Sequence, residues 1–263
     1  MESKKIAVIG CGNLGQSIVN GLLQINTKPE HITATKRNIE PLAALSKLGV
    51  QITSDNKKAV ANSDLIILAV KPYNVEAILQ EINSDLVPSK HVVVSLATAI
   101  SIQQIEANTP KGIPVFRAMP NTAADVATSL TCICSNTSNK QTTEWVKSCF
   151  DGIGETVIIN EDLMNAATVI GACGLAFVLR FIRAMIQGGI QIGFDSKTAS
   201  TIVNQTVKGA AELLIQEKQH PEFEIDKVTT PKGCTIAGLN EMEHNGFSSA
   251  LIKGIVTSYE AID

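Results

Sequence analysis

Six residues near the amino terminus, Gly10-Cys11-Gly12-Asn13-Leu14-Gly15, carry the spacing G-x-G-x-x-G. They follow the β-like run Lys5–Ile9 and open the helical pattern Leu14–Gln24. In that setting each glycine has a task. Gly10 permits a tight turn, Gly12 lets a pyrophosphate reach the backbone, and Gly15 lets helix and strand pack closely, with phosphates facing the helix N-terminus. A site for an unphosphorylated dinucleotide usually adds an acid at the end of the second strand to hold the ribose 2′-hydroxyl. This chain reads Ala34-Thr35-Lys36-Arg37 there. Two cations and a hydroxyl suit a 2′-phosphate through charge-assisted hydrogen bonds, so NADP is the expected cofactor, with NADPH preferred over NADH. The plain alternative is that Lys36 and Arg37 are solvated loop charges.

A second candidate segment is Ala69-Val70-Lys71-Pro72. It follows a strand pattern, beyond whose carboxyl end open parallel sheets bind ligands, so its backbone is expected to line the nicotinamide side. Lys71 reads equally well as a surface lysine. Two further segments stand out: Arg117-Ala118-Met119-Pro120-Asn121-Thr122, and the run from Asp226 to Leu239 that contains Pro231-Lys232-Gly233-Cys234-Thr235. By itself the stretch Thr229–Thr235 reads as a Pro/Gly turn capping a helix.

The elements that must position these residues follow from periodicity. Short β-like runs at Lys5–Ile9, His31–Thr35, Gln51–Thr53, Leu65–Val70, His91–Leu96 and Pro114–Met119 alternate with helical patterns such as Leu14–Gln24 and Ile39–Leu48, the form of a parallel sheet built from βαβ units. Leu65–Val70 is apolar throughout, as a central strand covered on both faces should be. Leu130–Cys134 and Glu155–Ile159 extend the same sheet. Beyond Glu161 the pattern turns to long helices, Leu163–Ile170, Leu175–Ile192, Lys197–Gln216 and Ser248–Ala261, without further strands. The expected fold is α/β: a Rossmann-type dinucleotide-binding domain over residues 1–160, followed by an all-α domain over 161–263. Small residues at Gly188, Gly189, Gly209, Ala210 and Ala211 fit either packing within the chain or a dimer interface.

Composition narrows the partners. A net charge of −3 without long runs of one sign attracts neither nucleic acid nor an anionic membrane, which leaves a small molecule. The most apolar stretch, Thr168–Leu179, is interrupted by Gly171 and Gly174 and is shorter than the ~20 residues of a membrane span, so a buried helix is expected. Lys4 and Lys5 lead straight into a Gly-rich turn rather than a signal-peptide core, which suggests a cytoplasmic location. The six cysteines form no C-x-x-C pair and cluster with no histidine, so reduced thiols and no metal site are expected. All four histidines, His31, His91, His220 and His244, read as surface residues.

Taken together, G-x-G-x-x-G, Ala69-Val70-Lys71-Pro72, Arg117–Thr122 and the segment from Asp226 to Leu239 resemble the pyrroline-5-carboxylate reductases across essentially the whole chain. The last segment is similar to the family signature D-x-V-T-S-P-G-G-T-T-I-A-G-L. The resemblance implies an oxidoreductase that reduces 1-pyrroline-5-carboxylate to L-proline with NAD(P)H, the last step of proline biosynthesis. It also implies an interlocked homodimer formed by the helical domain, often assembled further. Gly233, Cys234 and Thr235 are implied as substrate contacts, the backbone N–H groups holding the carboxylate and the Thr235 hydroxyl reaching the ring nitrogen. Glu161 falls near the family's substrate-side acid. Asn56, Asn121, Leu96, Ala97 and Thr98 fall beside the cofactor.

The chain departs from the family in two places. Where S-G-S-G-P-A-Y is usual, it has Gly171-Ala172-Cys173-Gly174-Leu175-Ala176-Phe177, and P-G-G becomes Pro231-Lys232-Gly233. Lys232 occupies a position where glycine allows positive φ, and it either intrudes on the pocket or adds a cation for the carboxylate. No His, Lys or Tyr base is placed for alcohol oxidation, since Val178 stands at the lysine position of G-x-x-G-x-x-x-K. A cyclic imine needs less, because its nitrogen takes a proton from solvent or a hydroxyl, and positioning dominates. Reduction of a different cyclic imine or carbonyl, and an NADP sensor without chemistry, are the alternatives.

Overall fold

The computed structural model describes residues 4–262. The chain forms two compact units, one running up to Ala172 and the other from Cys173 to Ala261. In the first unit, β1 (Ile6–Ile9), α1 (Asn13–Gln24), β2 (Ile32–Thr35), α2 (Ala43–Lys47), β3 (Gln51–Thr53) and α3 (Asn56–Ala61) alternate as expected. Next come β4 (Leu65–Leu68), α4 (Pro72–Ile82), β5 (Val92–Ser95), α5 (Ile102–Glu106) and β6 (Val115–Met119). The unit is completed by β7 (Ser129–Ser135), α6 (Lys140–Asp151), β8 (Gly154–Ile158) and α7 (Met164–Ala167).

All eight strands join one sheet in the order β3-β2-β1-β4-β5-β6-β7-β8. Pairing is parallel except between β6 and β7, and β8 runs parallel to β7. The order of the first six strands is that of dinucleotide-binding sheets, whose ligands lie beyond the carboxyl ends where the order reverses between β1 and β4. The sequence explains the layering. Leu65, Ile66, Ile67 and Leu68 are all fully buried, so β4 has no solvent face. In β1, Ile6 and Val8 point to the core under α1 and α6, whereas Ala7 and Ile9 point to the core under α3, α4 and α5. These two apolar layers fix the register, because a slip of one residue would exchange the faces.

Two sequence expectations are corrected here. His91 is 1% exposed rather than on the surface. Its ring folds under the turn that precedes β5, where Nδ1 accepts the Val87 N–H at 2.8 Å, and burial holds its pKa below the usual imidazole value. The expectation of a short, buried helix near Thr168–Leu179 also fails. Glu161–Gln191 is one helical run of 31 residues, long and apolar enough to cross a membrane by length and composition, and only 6% of its most apolar window is buried. Gly171 and Gly174 do not break it. They lie at Thr168–Cys173, a π-helical stretch, and at the first residue of α8 (Gly174–Gln191).

The second unit contains α8, α9 (Ser196–Glu217), α10 (Pro221–Lys227), α11 (Cys234–His244) and α12 (Phe247–Glu260). Among its described residues only Ala199 and Val203 are buried apolar side chains. Leu179, Ile192, Leu213, Ile215, Ile252 and Val256 are all exposed. Asp195 caps α9 by accepting the N–H groups of Lys197 and Thr198, so the helices are well formed locally while their apolar faces stay uncovered.

Candidate active site

The turn after β1 has the geometry its glycines predict. Gly10 has φ +77°, and a Cβ there would lie 2.1 Å from Val70 Cγ1. Only glycine fits. A Cβ on Gly15 would meet Ala69, Cys11 and Val8 atoms, each at 3.4 Å, which is the close packing of α1 on the strands. Gly12 differs: the one neighbour its Cβ would meet is Gly10 O at 3.9 Å, so the backbone there is open to a ligand. Gly12 is also the N-cap of α1 and supplies no side-chain cap, leaving the first N–H groups, at Asn13, Leu14 and Gly15, free to receive an anion. Asn13 is exposed, whereas Leu14 packs against the core. Cys11 is fully buried, and that burial pushes its thiol up to about 12, so it remains a neutral packing group.

Beside this turn, Lys36 is half-buried and Arg37 exposed, and neither joins an ion pair among the described residues. Both cations are therefore available to a phosphate. Thr35 is not. Its hydroxyl is 1% exposed, accepts the Gly10 N–H at 3.3 Å and donates to Asn56 Oδ1 at 2.7 Å. The expected hydroxyl for the 2′-phosphate instead ties the end of β2 to the glycine turn and to α3, because its position on β2 points it inward. Asn56 in turn donates through Nδ2 to Glu81 at 3.1 Å.

Ala69 and Val70 lie against the glycine turn, Lys71 is the exposed N-cap of α4, and Pro72 is its first residue. Leu96 and Ala97 are buried, and their N–H groups donate to Leu68 O at 3.1 Å and Ser95 Oγ at 3.3 Å. Thr98 is half-buried above Met119. The structure thus gathers Gly10–Gly15, Ala69–Pro72 and Leu96–Thr98 along the carboxyl ends of β1, β4 and β5. Asn121 is spent within its own chain: Oδ1 accepts the Ala123 N–H at 2.9 Å, and Nδ2 donates to Gly171 O at 2.8 Å. A cavity of about 300 Å³ lined by Ile25, Thr27, His31 and Trp145 contains none of these residues.

Glu161 is held by Arg117. Nη1 of Arg117 donates to Glu161 Oε1 at 3.0 Å, and the same oxygen accepts the Ile102 N–H at 2.7 Å. Sequence reading quoted Arg117 without assigning it a role. The signal was present: one cation inside the otherwise apolar strand Val115–Met119 requires an acid partner.

In the second unit, residues Thr230–Gly233 form a turn closed by Gly233 N–H to Thr230 O at 2.9 Å. A Cβ on Gly233 would lie 2.6 Å from Thr230 Oγ1, so glycine is required. Lys232 has φ +58°, a left-handed conformation that costs a non-glycine residue about 1 to 2 kcal/mol. Gly233 is the N-cap of α11 without a side-chain cap, which frees the N–H groups of Cys234, Thr235 and Ile236. Thr235 sits one residue inside the helix, and its hydroxyl makes no hydrogen bond among the described residues. It is not the cap.

Residues 161–263 match the family model described as pyrroline-5-carboxylate reductase dimerisation, and residues 5–99 match NADP oxidoreductase, coenzyme F420-dependent. Pyrroline-5-carboxylate reductase 2 of Dictyostelium discoideum is 40% identical over 276 residues, which cover 98% of this chain and 92% of that one. The chain belongs to the pyrroline-5-carboxylate reductase family. Pyrroline-5-carboxylate reductase 1 of the same organism is 43% identical over 96% of this chain, which spans about half (48%) of that longer relative. Among solved structures, a pyrroline-5-carboxylate reductase from Coxiella burnetii superposes with a TM-score of 0.93 at 28% identity, covering 98% of this chain and 97% of that one. The Plasmodium falciparum pyrroline carboxylate reductase, solved with NADP bound, superposes at 0.88 with 26% identity over 99% and 97%. For this reductase-family chain the comparisons agree with the fold and with the NADP expectation read from Lys36 and Arg37.

Proposed function

We propose that the chain reduces 1-pyrroline-5-carboxylate to L-proline, with NADPH preferred over NADH. The observation that carries this reading is the start of α11, where Gly233 leaves the N–H groups of Cys234 and Thr235 uncapped beside an unengaged Thr235 hydroxyl. These are the donors a carboxylate and an imine nitrogen require. The bound cofactor supplies hydride to the imine carbon. The residues around it bind and orient: the uncapped first turn of α1 takes the pyrophosphate, Lys36 and Arg37 take the 2′-phosphate, and Ala69–Pro72 with Leu96–Thr98 line the nicotinamide side. Asn56 acts there through Thr35, whose hydroxyl holds the glycine turn, and Asn121 through the backbone it fixes. Gly233, Cys234 and Thr235 hold the substrate carboxylate and nitrogen, with Glu161 on the substrate side. The nitrogen takes its proton from solvent, so no side-chain acid is required.

In this reading residues 1–160 serve the cofactor, while residues 161–263 bind substrate and form a homodimer in the cytoplasm. The uncovered apolar side chains of α8 to α12 support the dimer. Oxidation of NADPH on adding pyrroline-5-carboxylate, with proline identified by amino-acid analysis, is the test. Absence of imine-dependent oxidation would leave an NADP-binding protein without this activity. A specific observation favours a second substrate as well: Lys232 in a strained turn, together with the loss of the family's hydroxyls at Gly171–Phe177, reshapes the substrate end. Turnover of piperideine-2-carboxylate or pyrroline-2-carboxylate above that of pyrroline-5-carboxylate would replace the first reading with this one.

A further inference from the structure

Alternation along β6 puts Val115, Arg117 and Met119 on one face, the face whose core includes Ile102 and Ile105 of α5. Arg117 is 5% exposed, and its Nε is buried without a hydrogen-bond partner. A cation in such a place requires an acid, and among the described residues the one ion-pair partner is Glu161. One oxygen of Glu161 receives both Arg117 Nη1 and the N–H of Ile102, the first residue of α5. The other oxygen makes no hydrogen bond among the described residues. Next to Ile102, Ser101 and Gln104 form a reciprocal cap, Ser101 Oγ accepting Gln104 N–H at 3.1 Å and Gln104 Oε1 accepting Ser101 N–H at 2.7 Å.

The loop from Leu96 to Ser101 is therefore fixed at both ends. Its start hangs on Leu68 O and Ser95 Oγ, and its end on Glu161 and the Ser101 cap. Between them Ala99 has φ +61°, a conformation that alanine keeps only where the surroundings over-determine it. Releasing one end allows this loop to relax, and a misplacement of about 1 Å beside a reacting centre can cost about a hundredfold in rate.

We propose that Arg117 is a positioning residue for the reaction: through Glu161 it holds the Leu96–Ser101 loop in the shape that places the nicotinamide against the imine. This rests on the reading of that loop as part of the nicotinamide site. It predicts a defect in turnover rather than in cofactor capture, because the glycine turn, Lys36 and Arg37 are untouched.

The test uses the full chain with Arg117→Lys, Glu161→Gln and the double variant. Arg117→Lys keeps the charge and loses the planar fork, and Glu161→Gln keeps an acceptor for Ile102 and loses the charge. Three quantities are measured: kcat and KM with pyrroline-5-carboxylate, NADPH affinity and stoichiometry by fluorescence titration, and amide hydrogen exchange over residues 96–104. We expect kcat to fall at least tenfold in each single variant, NADPH affinity to stay within threefold at full stoichiometry, and exchange of the loop amides to rise at least tenfold. The double variant should be no worse than the poorer single one. Wild-type kcat in Arg117→Lys, or a loss of kcat matched by an equal loss of NADPH sites, overturns the proposal and leaves a packing pair. If Arg117→Lys does not fold, the half-exposed Glu161→Gln carries the same comparison. Should the wild-type chain not turn over this imine, the proposed function fails, and the positioning role is decided by exchange alone: unchanged protection overturns it, and raised exchange at full NADPH stoichiometry upholds it.

Discussion

Replacing Thr235 by alanine separates chemistry from folding unusually well. Thr235 lies one residue inside α11, whose N-cap is Gly233, and its hydroxyl has no partner among the described residues. Removing that hydroxyl leaves no buried donor or acceptor unsatisfied, and alanine is the better helix former, so stability should change by no more than about 0.5 to 1 kcal/mol. If the hydroxyl hydrogen-bonds the imine nitrogen as charge develops there, its loss costs about 1.5 to 3 kcal/mol, or roughly ten- to 150-fold in kcat. NADPH binding should be nearly unchanged, because the uncapped turn of α1 and the cations at Lys36 and Arg37 lie in the other unit. Steady-state kinetics on Thr235→Ala and Thr235→Ser, beside NADPH titration and thermal unfolding, read all three quantities. Serine should retain most activity. Alanine as active as wild type would refute the assignment, and equal losses in serine and alanine would point to the methyl group and to packing.

Neutralising both Lys36 and Arg37 should raise the NADPH Michaelis constant far more than that for NADH, because neither cation joins an ion pair among the described residues and charge-assisted contacts to phosphate are the strong ones. Equal effects on the two cofactors would remove the argument. His91 is buried with its pKa held down, so the unfolded chain binds its proton more readily than the fold does. Its contribution to stability is complete above the unfolded value of about 6.5 and is lost as pH falls from there to the depressed folded value. Urea midpoints should therefore fall more steeply below about pH 6.5 in wild type than in His91→Asn, and parallel slopes would exclude His91. Sedimentation should show a homodimer at micromolar concentration, and Ile252→Glu, at an exposed apolar site of α12, should shift it toward monomer. A stable wild-type monomer would contradict the reading.

The cofactor half was legible because its rules are local. The strands of the sheet were visible as β-like runs, and the helix after Gly15 as a 3.6-residue pattern, since both faces of β4 and one face of α1 must be buried. What escaped was side-chain direction. Thr35 read as a ligand hydroxyl because it stands beside two cations, and only the pairing of β2 with β1 reveals that it points inward to Gly10 and Asn56. His91 read as exposed because it follows a polar turn, and nothing in the sequence shows that the turn folds over its ring. Arg117 and Glu161 are separated by 44 residues, so their pairing depends on topology rather than spacing. The structure assigns compact units that divide between Ala172 and Cys173, whereas the change of pattern, and the start of the matched dimerisation region, lie at 161.

The helical half was legible in its elements but not in its energetics. Periodicity predicted α8, α9 and α12 to within a residue or two at each end, because an amphipathic stripe marks a helix whatever covers it. The sequence left open whether this region packs on itself or against a second chain. A helix stripe says that an apolar face will be buried, not which chain will bury it. Here α8 has no buried residue, and Leu179, Ile215 and Ile252 remain open to solvent along three different helices. Two buried side chains, Ala199 and Val203, cannot offset the conformational entropy of about 90 ordered residues, since each costs about 1 to 2 kcal/mol in backbone freedom alone. The small residues at Gly188, Gly189 and Gly209 bear on the same point: a Cβ at Gly189 would press on Ala199 at 3.2 Å within the unit, whereas one at Gly188 or Gly209 would meet nothing within 4 Å. Packing within the chain therefore does not explain those two positions.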